Sequence, residues 1–288
     1  MRIDLHIHST ASDGTLRPSE ILILAQHLNI AAISITDHDT LEGSKSALAY
    51  GIPPSVKFLT GVEISADPPD AFSLSGSLHI LGYAVDVDHP DLNQTLSKLK
   101  DSRENRNPRI LKLLSGLGID ITFDELKDLA NESPLGRPHI ARVMVKKGYA
   151  PSIDAAFDEY LGHGKPAYVD RFRFGCEDTM RIILDAGGIP VLAHPMLLGI
   201  QDADIFENLI DMLTEMGMRG IEVYYPEHTK DLMAYYTRLA RRHDLLITGG
   251  TDFHGDLKPE IKMGSGTGNL YIPYELYEKL ISSLQKED

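Results

Sequence analysis

Polar residues break the apolar runs of this chain at recurring places. In Ile3-Asp4-Leu5-His6-Ile7-His8 the two classes alternate, so the two-residue period of a strand puts His6 and His8 on one face, about 7 Å apart along the axis. The run from Ala31 to Ile35 leads into Thr36-Asp37-His38-Asp39, and the run from Val56 to Val62 ends at Glu63. Leu78-His79-Ile80-Leu81-Gly82-Tyr83 carries its histidine inside the run, and Gly220-Ile221-Glu222-Val223-Tyr224 carries an acid. Two later runs end in His194-Pro195 and in Thr251-Asp252-Phe253-His254. Between most of them lie stretches of helical period, such as Ile21, Leu22, Leu24, Ala25 and Leu28, opened by Pro18-Ser19-Glu20. This alternation predicts an α/β fold, a barrel of parallel strands whose chemistry sits at the C-terminal strand ends.

The strand pattern stops between about Asp88 and Asp170. Leu92, Leu96 and Leu99, then Ile110, Leu113, Leu114 and Leu117, are spaced for helix, with Pro108 interrupting a basic helical stretch between them and Gly118 as a stop. Thr122-Phe123-Asp124-Glu125 has the form of a capping box ahead of Leu126, Leu129 and Ala130. Two further helices are expected, over residues 139–147 and 152–161. The predicted organisation is a barrel begun by residues 1–87, interrupted by a helical insertion over 88–170 that covers the barrel mouth, and completed by 171–288.

His6, His8, Asp13, His38, Glu63, His79, His194, Asp252 and His254 all fall at or near the ends of these runs. A lone histidine at a strand end is more often hydrogen-bonded than metal-bound. Buried acids and imidazoles converging from several strands need cations to be tolerated, and that favours a metal site.

Composition narrows the picture. A chain of 288 residues can close one barrel with a sizeable core and still spare an insertion. Its single cysteine, Cys176, excludes an internal disulfide and reads as a buried small hydrophobe. No signal-like apolar segment precedes the first strand and no run is long enough to span a bilayer, so a cytoplasmic protein without a membrane partner is expected. The net charge of −14 argues against stable binding of duplex DNA, which depends on many Lys and Arg contacts to phosphates. A small or single-stranded anionic substrate remains compatible, because bound divalent ions would make the site itself cationic.

These motifs together resemble the PHP (polymerase and histidinol phosphatase) domain family: His6-Ile7-His8 with Asp13, Thr36-Asp37-His38-Asp39, Ala193-His194-Pro195 and Thr251-Asp252-Phe253-His254-Gly255, with Glu63 and His79 matching the family's bridging acid and additional histidine. The resemblance covers nearly the whole chain. It implies a distorted (β/α)7 barrel holding three divalent metal ions. His6, His8, Glu63 and Asp252 would surround one ion, Glu63, His79 and His194 a second, and Asp13, His38 and His254 a third. Imidazole and carboxylate without thiolate suit Mn²⁺, Fe²⁺ or Zn²⁺, with Mn²⁺ as the working expectation. The implied chemistry is in-line attack on phosphorus by a hydroxide bridging two of the ions, with Asp252, Glu63 and His38 as its catalytic residues.

Gly136-Arg137-Pro138-His139 and Gly162-His163-Gly164-Lys165-Pro166 read as loops exposing cations. Arg and Lys near metals suit phosphate binding. Here the chain resembles one PHP branch, the nucleotide phosphatases and 5′-to-3′ exonucleases acting on 3′,5′-bisphosphonucleotides and short RNA. That resemblance implies a 5′-phosphate held by Arg137 and Lys165, with His139 alongside. His228 is a candidate second phosphate contact or leaving-group proton donor, and hydrogen bonding that orients the His38 imidazole is expected of Asp37 or Asp39. Met196-Leu197-Leu198 and Arg171-Phe172-Arg173 depart from the branch near where substrate would lie. The expected partner is therefore a small nucleotide or short single-stranded RNA. The alternatives are histidinol phosphate as substrate, disfavoured because its one phosphate leaves the second anion clamp superfluous, and a non-catalytic metal-binding module, disfavoured because no ligand is missing.

Overall fold

A computed structural model describes residues 1–130 and 135–285. Residues 131–134 of the expected insertion and 286–288 of the expected second barrel part lie outside the described residues. The alternating first run forms β1 (Arg2–Ile7), and both of its faces are buried: Ile3, Leu5 and Ile7 on one, Asp4 and His6 on the other. After α1 (Pro18–His27) comes β2 (Ile30–Ile35), then α2 (Glu42–Tyr50), β3 (Lys57–Asp67) and β4 (Leu78–Tyr83). The chain then turns helical: α3 (Pro90–Gly116), α4 (Phe123–Ala130), α5 (Arg137–Lys146) and α6 (Ile153–Ala156), the last continuing as a π turn over Phe157–Leu161. The strand pattern resumes with β5 (Phe174–Gly175), α7 (Cys176–Asp185), β6 (Ile189–Leu192), α8 (Ala203–Glu215), β7 (Gly220–Tyr224), α9 (Lys230–Arg242), β8 (Leu246–Gly249) and α10 (Tyr274–Leu284).

The sheet runs β1-β2-β3-β4-β6-β7-β8, with β5 paired to β3. Beyond β8 the backbone returns to the first strand: Ile7 bridges Phe253 in parallel, and the His8 N–H donates to the Phe253 carbonyl at 2.9 Å. The expectation of uniformly parallel strands is corrected at one place. β4 runs antiparallel to both β3 and β6, because no helix separates β3 from β4 and the chain reverses through the short loop between them.

The helices between β4 and β5 enclose an apolar cluster of their own, including Ile110, Leu114, Ile140, Met144 and Leu161. The capping box forms as expected: the Thr122 N–H donates to Glu125 at 2.8 Å, and the Glu125 N–H donates to Thr122 Oγ1 at 3.2 Å. Pro108 does not interrupt its helix, which is 27 residues long and runs on past it to Gly116. A proline lacks only one donor, and the apolar stripe from Leu92 to Leu114 is buried on both sides of it. Gly118, at φ +81°, follows the helix end in the left-handed conformation that glycine adopts freely.

Candidate metal centre

The ends of the strands bring together all nine residues singled out above. Asp4, one residue pair back along β1, fastens the last loop: it accepts from the Thr251 N–H (2.9 Å), the Thr251 hydroxyl (2.6 Å) and the Gly264 N–H (2.7 Å). Burial pushes its carboxyl up to about 6 despite these bonds. That loop delivers Asp252 and His254. Gly250, just before it, packs so closely on β1 that a Cβ would stand 2.1 Å from that of His6. Asp39, His194 and Asp252 all have positive φ, at 54°, 26° and 53°, strain of the sort that concentrates at functional sites.

Glu63 is the centre of the constellation. Its Oε2 lies 3.5 Å from His6 Nε2, 3.2 Å from His8 Nε2 and 2.8 Å from His38 Nδ1. Its Oε1 lies 2.8 Å from His79 Nδ1 and 2.9 Å from His194 Nε2. Asp252 Oδ1 is 3.1 Å from His8 Nε2 and 3.5 Å from His6 Nε2. Asp13 reaches His254 Nε2 at 3.4 Å and His38 Nε2 at 3.8 Å. Three groups of side chains are spaced to hold an ion: His6, His8, Glu63 and Asp252; His38, Glu63 and His79; and His8, Asp13, His38 and His254. The first is the set expected from sequence. In the other two the structure adds His38 and His8 to the residues expected, and His194 stands beside Glu63 and His79.

The donor set fits divalent cations. His6 Nε2, His8 Nε2, His38 Nδ1 and Glu63 Oε2 are buried and make no hydrogen bond of good geometry, a costly arrangement unless a cation takes their lone pairs. The charge pattern agrees. Burial opposes ionisation of Glu63, but the facing His38, His79 and His6 hold it well below the carboxylate range. Burial likewise opposes charge on His8, yet Asp252 and Glu63 raise it to about 10, while burial drives His79 down to about 4 against the pull of Glu63.

Outer residues fix the orientation of the inner ones. Glu222 Oε1 is 3.0 Å from His6 Nδ1, and its Oε2 accepts from the His194 N–H at 2.7 Å. Lys258 Nζ and the Tyr225 hydroxyl both reach Asp252 Oδ2, at 3.0 and 3.1 Å. Neither Asp37 nor Asp39 orients the His38 ring by a hydrogen bond. Asp37 accepts from the Ser9 N–H and hydroxyl and from Ser12, shaping the turn after β1, because His38 points its Nδ1 to Glu63. Asp39 accepts from Ser65, Arg103 and Arg171.

The expected substrate contacts are distributed differently. Arg137 lies in the first turn of α5 rather than in an exposed loop, since Pro138 starts the helix there, and His139 falls in the helix expected from that residue on. His139 is buried and its Nδ1 accepts from the Gly136 N–H at 3.3 Å. The Arg137 guanidinium lies over the Phe157 and Tyr168 rings at 5.6 and 5.5 Å and donates to the Leu161 carbonyl. Lys165 is exposed and lines neither of the two cavities described next. His228 is buried between Tyr225 and Tyr236, with Nδ1 on the Val223 carbonyl at 2.8 Å, and it too lines neither cavity.

A cavity of about 380 Å³ opens over Asp13, His38, Glu63, His79, His194, Asp252 and His254, with Pro138, Ile153 and Phe157 of the helical segment on its rim. A second, of about 440 Å³, is lined by Phe72, Arg137, Phe157, His163, Tyr168 and Arg173. Ser77 and Phe157 belong to both.

The PHP domain model matches residues 4–287. The chain is 34% identical over 255 residues to the 3′,5′-nucleoside bisphosphate phosphatase of Chromobacterium violaceum, covering 88% of this chain and 87% of the relative. It is 33% identical to the 5′-3′ exoribonuclease of Haemophilus influenzae, covering 88% and 90%. A solved structure from Bifidobacterium adolescentis, assigned to the metal-dependent phosphoesterases, superposes with a TM-score of 0.82 at 27% identity, over 97% of this chain and 95% of that one. Among the described residues, no helix is long and apolar enough to cross a membrane.

Proposed function

The chain belongs to the PHP domain family as a metal-dependent phosphoesterase, and we propose that it hydrolyses the 3′-phosphate of 3′,5′-bisphosphonucleotides and releases nucleotides from the 5′ end of short RNA. The observation that carries this reading is the pair of adjoining cavities. One is lined by the imidazoles and carboxylates, and the other by Arg137 among aromatic rings, a combination that suits a phosphate and a planar base. The names of the relatives point the same way.

In this reading His6, His8, Asp13, His38, Glu63, His79, His194, Asp252 and His254 hold three divalent ions, Mn²⁺ first among the candidates. Bound ions of this kind lower the pKa of water and offset charge on phosphoryl oxygens. Glu63 spans the groups of side chains through its two oxygens. Lys258 lines the same cavity as Asp252 and adds a cation to it. The helical insertion, residues 88–170, acts as a cap, since Pro138, Ile153 and Phe157 wall the cavity from that side. Histidinol phosphate, with one phosphate and an amine, would leave Arg137 without an anion.

A phosphate-release screen in excess Mn²⁺ tests this. Bisphosphonucleotides and short 5′-phosphorylated RNA should turn over far faster than histidinol phosphate. A clear preference for histidinol phosphate would overturn the reading.

A further inference from the structure

Lys258 enters the metal-centre cavity from the segment that follows His254. Gly255–Leu257 form a single 3₁₀ turn, and the Lys258 N–H donates to the Gly255 carbonyl at 3.2 Å. That turn is fastened to the loop carrying Asp13. The Asp256 N–H donates to Thr15 Oγ1 at 2.9 Å, and the Thr15 N–H donates to the His254 carbonyl at 3.2 Å. Gly255 permits the fit, since at φ +66° a Cβ there would stand 2.1 Å from Thr15 Oγ1. The backbone that carries the Lys258 side chain is thus tied to the first strand's loop before the side chain begins.

The Lys258 ammonium reaches Asp252 Oδ2 at 3.0 Å, and Asp252 is its one hydrogen-bond or ion-pair partner among the described residues. An ammonium carries three N–H donors, so two stay uncommitted. The side chain is 42% exposed and lines the cavity, which leaves those donors within reach of a ligand there. Asp252 does not depend on this contact alone. Its Oδ2 also accepts from the buried Tyr225 hydroxyl at 3.1 Å, while its Oδ1 faces His8 and His6 at 3.1 and 3.5 Å. Among the described residues that line the cavity, Lys258 is the only Lys or Arg, set against the carboxylates of Asp13, Glu63, Asp154 and Asp252.

We propose that Lys258 is a catalytic residue whose ammonium donates to a non-bridging oxygen of the phosphoryl group being hydrolysed, holding that group and offsetting the charge on its oxygens during attack. The proposal rests on the phosphoesterase chemistry of the metal centre and not on which ester is the substrate. No proton is transferred. The bond to Asp252 aims the remaining N–H groups, so the donor is in place before charge develops on phosphorus-bound oxygen. A point charge on a flexible stem can follow the oxygens as phosphorus passes from tetrahedral to in-line geometry, which the planar fork of an arginine would do less well. Ile153, Phe157, Leu197 and Leu257 line the same cavity, and their apolar surface strengthens the contact by displacing water from it.

Two calorimetric titrations test this: Mn²⁺ into the metal-free protein, and inorganic phosphate into the Mn²⁺-loaded protein. Each is run on wild type, Lys258→Met, Lys258→Arg and Tyr225→Phe. Lys258→Met should bind Mn²⁺ no more weakly than wild type but bind phosphate roughly 10- to 150-fold more weakly, the loss expected for one charged hydrogen bond, with kcat/KM reduced by the same order. Lys258→Arg should recover part of the phosphate affinity. Tyr225→Phe removes the other donor to Asp252 Oδ2 without removing a cation, so at saturating Mn²⁺ it should bind phosphate as wild type does. A lysine that only positions Asp252 would behave like Tyr225: its loss would weaken Mn²⁺ and leave phosphate affinity intact once the ions are bound. That result would overturn the proposal, as would wild-type phosphate affinity in folded Lys258→Met. Lys258→Gln serves in the same two titrations if Lys258→Met lacks a native circular dichroism spectrum. Selective loss of phosphate in a protein that prefers histidinol phosphate would uphold the role of Lys258 and overturn the nucleotide reading instead.

Discussion

Glu222 places its Oε1 3.0 Å from Nδ1 of His6. With that nitrogen committed to a carboxylate, the ring presents its other nitrogen to Glu63 and Asp252, and the same Glu222 fixes the backbone N–H of His194. One buried acid thus holds the His6 ring and the His194 backbone, as acids behind metal-binding histidines commonly do.

Glu222→Gln should therefore lower Mn²⁺ affinity, or turnover at limiting Mn²⁺, by roughly 10- to 100-fold. A metal titration of activity measures it. A wild-type titration curve in the variant would show that the His6 orientation does not depend on the charge.

Glu63→Gln and Asp252→Asn remove charge from the point where the side-chain groups meet. Turnover in excess Mn²⁺ should fall by orders of magnitude while the circular dichroism spectrum stays native. More than a tenth of wild-type turnover in either variant would count against the site.

If the proposed reading holds, elemental analysis after purification in excess Mn²⁺ should find about three divalent ions per chain. One tightly bound ion at most would contradict the trinuclear arrangement.

Asp39 yields a prediction about pH. Burial opposes its ionisation, but Arg171 and Arg103 hold its carboxyl below the usual range. Its folded pKa is thus lower than the unfolded value of about 3.9, so the unfolded chain binds more protons between the two. The stabilisation is present above the unfolded value and is lost as pH falls through the folded one. Wild type should exceed Asp39→Asn in urea midpoint at pH 7, and the gap should narrow below about pH 4. A gap that does not change with pH would remove the ion pairs as its cause.

Much of this site was legible because its residues sit where strand pattern meets loop. His6 and His8 share a strand face by period alone, and Glu63, His194, Asp252 and His254 close apolar runs, so convergence followed from the alternation. Glu222 was visible as an acid inside an apolar strand, but its partners are brought near only by folding. Arg103 carried a signal that could have been used: it interrupts the apolar stripe of α3 at a buried position, where it holds Asp39. The reversal of β4 could not be read from residue pattern, because a buried strand looks alike in either direction. Arg137 was placed in a loop rather than a helix for a different reason. Gly-x-Pro reads both as a turn and as a helix start, and tertiary packing chose the helix.

The most direct measurement pairs Arg137→Ala with the substrate's second phosphate. Kinetics of wild type and variant on adenosine 3′,5′-bisphosphate and on adenosine 3′-monophosphate form a cycle with the substrate as one partner. If the cavity beside the metal centre grips the remote phosphate, kcat/KM on the bisphosphate should drop roughly 10- to 150-fold, and the already poor value on the monophosphate should scarcely move. Equal losses on both substrates would contradict the account.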